Sequence, residues 1–225
     1  MKKKLLFLLL PCFVQAQTYT LTRNLSNNLI SGSGTSVALT DDSFAGALPI
    51  GFSFNFYGNN YTNFFLCSNG FISFGAGSTD IYNAIPSTQA PNNIIAFANT
   101  DLDPGIGSPT INYFTTGSSP NRILVVNFNN VRHFFNMSLT TVQVQLFETS
   151  NKIEIHSTNN VSGGSSRTIA VENIDGTQGV TEPSLDNTTS FNVVNEMIRF
   201  TPSSCPAPVI TANTSFLCSL ENITF

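Results

Sequence analysis

The alternation of side chains in residues 50–57, IGFSFNFY, most constrains what this chain can fold into. Phe52, Phe54 and Phe56 occupy one phase of the pattern, and Ser53 and Asn55 occupy the other. Residues two apart lie on the same face of a β-strand. The pattern therefore predicts a half-buried strand whose phenylalanines belong to a core.

The same period of two recurs along the chain, and no stretch after residue 17 has helical periodicity. Asn69-Gly70 is a strong hairpin signal. Further strands are predicted at residues 61–68, 94–98, 111–115, 123–128, 141–147, 152–156, 167–172 and 196–201. Many short strands without intervening helices predict an all-β fold, an antiparallel, jelly-roll-like β-sandwich.

The clearest predicted hairpin joins TVQVQLFE and KIEIHS through residues 149–151. Its valines, isoleucines and leucine occupy the inward phase. The outward phase contains Gln143, Gln145, Glu154 and His156.

The N-terminus has the composition of a secretory signal peptide. Lys2, Lys3 and Lys4 precede an apolar run that is too short to span a bilayer, and the small Ala16 offers a cleavage point. Residues 1–16 are therefore predicted to be removed, so that the mature chain starts at Gln17. No later apolar run approaches the roughly 20 residues of a transmembrane helix, and a secreted, extracellular or cell-surface location is expected.

Charge argues against two classes of partner. Loss of the three lysines leaves 6 of the 9 basic residues against 13 acidic ones, a net charge of −7. Nucleic acids and anionic membranes require a basic surface, so neither is an expected partner.

Residues 17–201 are long enough for one sandwich domain. Residues 202–208 contain three prolines and predict a stiff linker, and residues 209–225 resemble the first strands of a second β-sandwich domain. Cys205 and Cys218 flank one short segment and are the candidate disulfide, whereas Cys67 lies in an apolar strand and is expected to be buried and reduced.

The stretch LPIGFSFNFYGNNYTNFFLCSNGFISFG, residues 48–75, resembles the nidogen-like (NIDO) extracellular domain through its F-x-F-x-G strand and its S-N-G-x-x-x-F hairpin. Four later segments follow in the order of that family: NNIIAFANTDLDP, SPNRILVVNFNNV, TVQVQLFETSNKIEIHSTN and RTIAVENIDGTQG. The chain has no tryptophan, and Phe97 and Phe128 stand where the family often places that ring.

The resemblance implies a non-catalytic adhesion or interaction module in a bacterial secreted or surface protein, with immunoglobulin-like or PKD-like repeats after residue 208. The alternative is an accessory domain of a secreted hydrolase whose catalytic domain lies beyond this chain. One version of this alternative is a carbohydrate-binding domain. The residues themselves do not indicate an enzyme. The chain has two histidines, His133 and His156, but it has no G-x-S-x-G elbow, and no His or Cys pair has the spacing of zinc ligands.

Residue types suggest two candidate ligand sites, one acidic and one aromatic. Asp101 and Asp103 alternate just before Pro104-Gly105, a pattern that is typical of an ordinary tight turn and that also suits calcium. Asp41-Asp42 is a second acidic pair. No other cofactor is expected.

Tyr57 and Tyr61 flank the Gly58 turn, and Tyr57 falls in the polar phase of its strand. They predict an aromatic edge for a ligand, or else tyrosines at the rim of the core. The expected partner is an extracellular protein or glycan.

Overall fold

The computed structural model describes residues 17–81 and 84–203. The predicted signal peptide, Cys205, Cys218, the linker from residue 204 onward and the predicted second β-domain lie outside these residues.

The described residues form 15 strands and one 3₁₀ turn, Pro183–Leu185. In chain order the strands are β1 (Thr18–Leu25), β2 (Thr35–Ser36), β3 (Phe44–Phe56), β4 (Asn59–Cys67), β5 (Phe71–Ser73), β6 (Ile94–Ala96), β7 (Leu102–Asp103), β8 (Thr110–Thr116), β9 (Ile123–His133), β10 (Leu139–Phe147), β11 (Ile153–Val161), β12 (Ala170–Glu172), β13 (Gly179–Val180), β14 (Asn192–Val193) and β15 (Glu196–Ser203).

The strands form two antiparallel sheets. The large sheet has nine strands in the order β1-β15-β11-β10-β9-β8-β2, with β14 paired to β11 and β7 paired to β9. The small sheet has six strands in the order β13-β12-β6-β5-β4-β3. The two sheets pack as a sandwich, which confirms the predicted fold class.

The phenylalanines of β3 lie inside this sandwich. Phe54 and Phe56 are fully buried and Phe52 is 5 % exposed, whereas Ser53 is exposed. Phe74, directly after β5, stacks on Phe54, with ring centroids 6.0 Å apart. The prediction that this row belongs to the core is confirmed.

Tyr57 departs from the alternation that predicts its direction. Its φ of 49° ends the extended strand and turns the ring inward. The ring makes T-shaped contacts with Tyr19 and Phe56, at centroid distances of 5.0 and 4.9 Å. Tyr57 is therefore a core residue, and the expectation that it faces away from the phenylalanines is wrong.

The side chains of β10 and β11 that point away from the core are nevertheless not exposed to solvent. All four of these side chains are buried: Gln143, Gln145, Glu154 and His156. The segment of residues 27–30, called the strap below, lies in the connection from β1 to β2 and hydrogen-bonds to the side chains of Gln143, Gln145 and His156.

The two chain ends of the domain lie together, because Thr18 pairs with Ser203. β15 is antiparallel to β11, and β11 is antiparallel to β10. The end of β15 therefore lies beside the end of β10, at what we call the terminal pole. The loop 134–138 before β10 lies at the opposite end, the loop pole, about 30 Å away for a nine-residue strand.

Within residues 17–81 and 84–203, no helix has the length and apolar character needed to cross a membrane.

Candidate functional site: an acidic cluster beside an apolar loop

The β4–β5 hairpin anchors the site. Gly70 has a φ of 80°, and a Cβ there would lie 2.6 Å from the Cβ of Ala98, so the turn requires glycine. The carbonyl oxygen of Gly70 accepts the backbone N–H groups of Phe97, Ala98 and Asn99. The hairpin thereby fixes the segment that leads to Asp101.

Asn69, fully buried beside Gly70, ties three segments together. Its Nδ2 donates to Asp42 Oδ1 and to the carbonyl oxygen of Thr79, both at 2.9 Å. Its Oδ1 accepts the backbone N–H of Leu102 at 3.1 Å. The S-N-G sequence thus positions the aspartates around it.

Asp41, Asp42 and Asp101 form an acidic cluster in which one carboxylate oxygen of each lies within 4.8 Å of the others. Asp41 and Asp42 are exposed and Asp101 is half-buried. Partial burial and then the neighbouring carboxylates raise the pKa of both Asp41 and Asp101 above the usual value. The cluster concentrates negative charge that a cation would neutralise.

Asp103 has a different environment from Asp101. It is 6 % exposed, and its Oδ1 accepts the backbone N–H of Gly105 at 2.7 Å, the contact that a tight turn makes. The structure therefore groups Asp101 with Asp41 and Asp42, the two expected acidic pairs meeting at one place. Calcium binding there stays a prediction.

A cleft of about 710 Å³ opens beside the acidic cluster. Its lining residues are Asp42, Thr79, Asp80, Ile81, Gln89, Ala90 and Asp101.

An apolar loop adjoins the cluster, because Leu102 of β7 pairs with His133 at the end of β9. The exposed side chains are Phe134 at 44 %, Phe135 at 74 %, Met137 at 74 % and Leu139 at 39 %. No sequence pattern singled out this loop, although its adjacent phenylalanines Phe134 and Phe135 were visible.

Hydrogen bonds hold the apolar loop in one shape. The backbone N–H of Phe135 donates to His133 Nδ1 at 3.2 Å. The Oδ1 of Asn136 accepts the backbone N–H of Ser138 at 2.8 Å, and its Nδ2 donates to the carbonyl oxygen of Gly163 at 3.1 Å. The exposed rings are therefore presented on an ordered backbone.

Both histidines are buried and fully engaged. His133 Nδ1 accepts a backbone N–H, so the proton lies on Nε2, which donates to Thr100 Oγ1 at 3.2 Å. His156 repeats this arrangement, accepting the N–H of Asn28 at Nδ1 and donating from Nε2 to Glu154 Oε2 at 3.2 Å. Neither ring has a nitrogen directed to solvent.

Arg167 is a buried cation that no sequence pattern predicts. Its Nη1 donates to Thr140 Oγ1 and Asn160 Oδ1, both at 2.7 Å, and it has no ion pair with a carboxylate of the described chain. Burial lowers its pKa to about 10. Burial and then this charge lower the pKa of His133 to about 4, which keeps that imidazole neutral.

The two candidate tyrosines do not form an exposed pair. Tyr57 is 8 % exposed, and its hydroxyl donates to the carbonyl oxygen of Val171. Tyr61 is half-buried, stacks on Phe74 at 4.8 Å, and accepts a hydrogen bond from Asn93 Nδ2 at 2.9 Å. A ligand role for Tyr61 stays a prediction.

The fold and the site together define an all-β sandwich module with an acidic cluster beside an exposed apolar loop. The family model described as NIDO related matches residues 15–207, so the chain belongs to the NIDO-related family. This confirms the resemblance seen in the sequence and indicates an extracellular module. Comparisons with curated proteins and with solved structures give no significant match.

Proposed function

We propose that this protein is a secreted, non-catalytic adhesion or interaction module that binds an extracellular protein through the apolar loop. The observation that carries this proposal is the exposure of Phe135 and Met137, each 74 %, on an ordered loop at the pole opposite Thr18 and Ser203. A module attached at the terminal pole presents this loop outward.

The loop has the composition of a binding hot spot. Aromatic residues and methionine are enriched at protein interfaces, where a few buried anchors supply most of the affinity. Phe134 and Phe135 contact each other edge to face at 5.0 Å, so they form one apolar surface. Because the backbone is already ordered, binding loses little conformational entropy.

The burial of both histidines supports a non-catalytic role for this domain. A general base needs a nitrogen that can reach a substrate proton. His133 and His156 are both 0 % exposed, and each uses its two nitrogens in hydrogen bonds within the fold.

A protein partner suits this surface better than a glycan. Sugar binding by stacking needs an open aromatic face. The ring of Tyr57 is buried and that of Tyr61 stacks on Phe74. The apolar loop, in contrast, offers phenylalanine and methionine side chains without a fixed array of polar groups.

We also propose calcium as the ligand of the acidic cluster. Calcium takes six to eight oxygen ligands, including carboxylates and backbone carbonyls. Asp41, Asp42 and Asp101 contribute three carboxylates whose mutual repulsion a divalent cation relieves.

Binding of the exported full chain to plates coated with collagen, laminin or fibronectin tests the adhesion proposal. Phe135→Ser combined with Met137→Ser should weaken binding by at least about tenfold. The matched control is Ile174→Ser, which removes an apolar side chain that is 58 % exposed on the small-sheet side. Unchanged binding by the double variant, or no binding by the wild type, contradicts the proposal. A catalytic domain in the full-length gene would favour the accessory-domain alternative.

A further inference from the structure

We propose that the outer face of the large sheet is a binding site for an extended peptide, and that the strap is its built-in occupant. This inference concerns a different surface from the apolar loop and does not depend on the proposed function.

The sheet side chains contact the strap backbone as a neighbouring strand would. Gln143 Oε1 accepts the N–H of Ile30 and Gln143 Nε2 donates to the carbonyl oxygen of Ile30, both at 2.9 Å. At Asn28, the N–H donates to His156 Nδ1 at 3.1 Å and the carbonyl oxygen accepts from Gln145 Nε2 at 2.9 Å.

Both backbone groups of two alternate residues are therefore bound by side chains. Leu29, between them, is 51 % exposed. These four hydrogen bonds depend on the extended backbone and not on the identity of the strap side chains. Other peptides in the same conformation would make the same contacts.

The binding side chains are fixed without help from the strap. Gln145 Nε2 also donates to Gln143 Oε1 at 2.7 Å, and Gln143 Nε2 donates to Asn127 Oδ1 at 2.7 Å. His156 is oriented by Glu154, which is itself paired with Arg199 at 2.8 Å. The site therefore keeps its shape when the strap leaves, which favours binding of a replacement.

The strap is an imperfect occupant of this site. Asn27 Nδ2 donates to the carbonyl oxygen of Ser157 at 3.1 Å, but Asn27 Oδ1 has no partner in the described part of the chain. A ligand that places no unpaired polar atom at this position would avoid the cost that the strap leaves there.

Hydrogen exchange on the full chain tests whether the strap opens by itself. The amides of Asn28 and Ile30 should exchange at least about a hundredfold faster than those of Val144 and Ile155 in the sheet beneath them. Equal rates would mean that the strap leaves only when the core unfolds, which overturns the proposal.

Peptide binding tests the site directly. The probe is a fluorescent peptide with the sequence SNNLIS, residues 26–31. Asn28→Pro combined with Ile30→Pro removes both strap N–H donors and should increase the affinity for the probe at least about tenfold over the wild type. Adding Gln143→Ala should return binding to background, whereas adding Gln178→Ala, a matched change on the small-sheet side, should not.

Thermal unfolding verifies that each variant remains folded. A folded double-proline variant that does not bind the probe, or that binds it equally well with Gln143→Ala, overturns the proposal. If the double-proline variant fails to fold, the exchange rates in the wild type decide the outcome alone.

Discussion

The backbone N–H of Phe134 donates to the carbonyl oxygen of Asp101 at 3.0 Å. This bond joins the first residue of the apolar loop to a member of the acidic cluster. A cation bound at the cluster would therefore fix the position of the loop, because both share the backbone at Asp101.

Calcium is expected to raise the melting temperature of the wild-type chain relative to a chelator. Occupancy at a hundredfold excess over the dissociation constant stabilises the fold by about 2.7 kcal/mol. The combined change Asp41→Asn, Asp42→Asn and Asp101→Asn should abolish the calcium effect and raise stability in chelator, because it removes the repulsion that raises the pKa of Asp41 and Asp101.

The control for this measurement is Asp175→Asn, which changes an aspartate outside the cluster. A wild-type melting temperature that does not change with calcium would leave the cluster residues as ordinary turn residues.

Truncation of Phe54 should lower the stability of the fold far more than truncation of an exposed aromatic residue. Phe54→Ala is expected to lower the free energy of unfolding by about 3–5 kcal/mol, because the ring is fully buried. Phe135→Ala, at a ring that is 74 % exposed, should change it by no more than about 0.5 kcal/mol. Denaturant unfolding measures both, and near-wild-type stability of Phe54→Ala would be incompatible with the fold.

Glu172 should make stability depend on pH near neutrality. Its side chain is fully buried and its Oε1 accepts the backbone N–H of Ser87 at 2.5 Å. Burial raises its pKa from about 4.5 to about 7, with nearby Asp186 adding to the rise and the Ser87 N–H opposing it.

The direction of this pH dependence follows from which state, folded or unfolded, binds the proton. Below about pH 4.5 the carboxyl is protonated in both states, and its stabilising contribution is fully present. Between about pH 4.5 and 7 only the folded state keeps the proton, so the stability falls as the pH rises, by on the order of 3 kcal/mol in all. Glu172→Gln mimics the protonated form and should remove this slope. Parallel curves of unfolding free energy against pH for the two proteins would refute the assignment.

Cys67 should resist thiol reagents in the native chain. It is a free cysteine, 1 % exposed, and burial raises the pKa of its thiol to about 12, which suppresses the reactive thiolate. Labelling with a maleimide should require denaturant, and rapid labelling of the native protein would contradict the buried position. Cys205 and Cys218 remain the predicted disulfide, and labelling with and without reductant tests it.

The sequence predicts the core faces well because burial repeats locally. Phe52, Phe54 and Phe56 follow the two-residue period of their own strand, as do Val142 and Val144 of β10. Periodicity fails where the backbone leaves the extended conformation, and the φ of 49° at Tyr57 is such a place.

Contacts between distant segments were beyond this kind of prediction. Gln143 and His156 alternate outward as expected, but only the folded chain places the strap over them. Asp41 and Asp101 are far apart in sequence, and they meet because Asn69 links the Asp42 side chain to the backbone of β7. No local pattern contains that information.

Because Thr18 and Ser203 lie together at one pole, the mechanical response of the domain depends on direction. Ladder hydrogen bonds lie perpendicular to their strands. A force between the apolar loop and Ser203 acts along β10, β11 and β15, so it shears all the bonds of each ladder together. A force that separates Thr18 from Ser203 instead opens the β1–β15 ladder one pair at a time, starting at its end. A load applied at the loop pole therefore acts in the direction in which the sandwich resists force best.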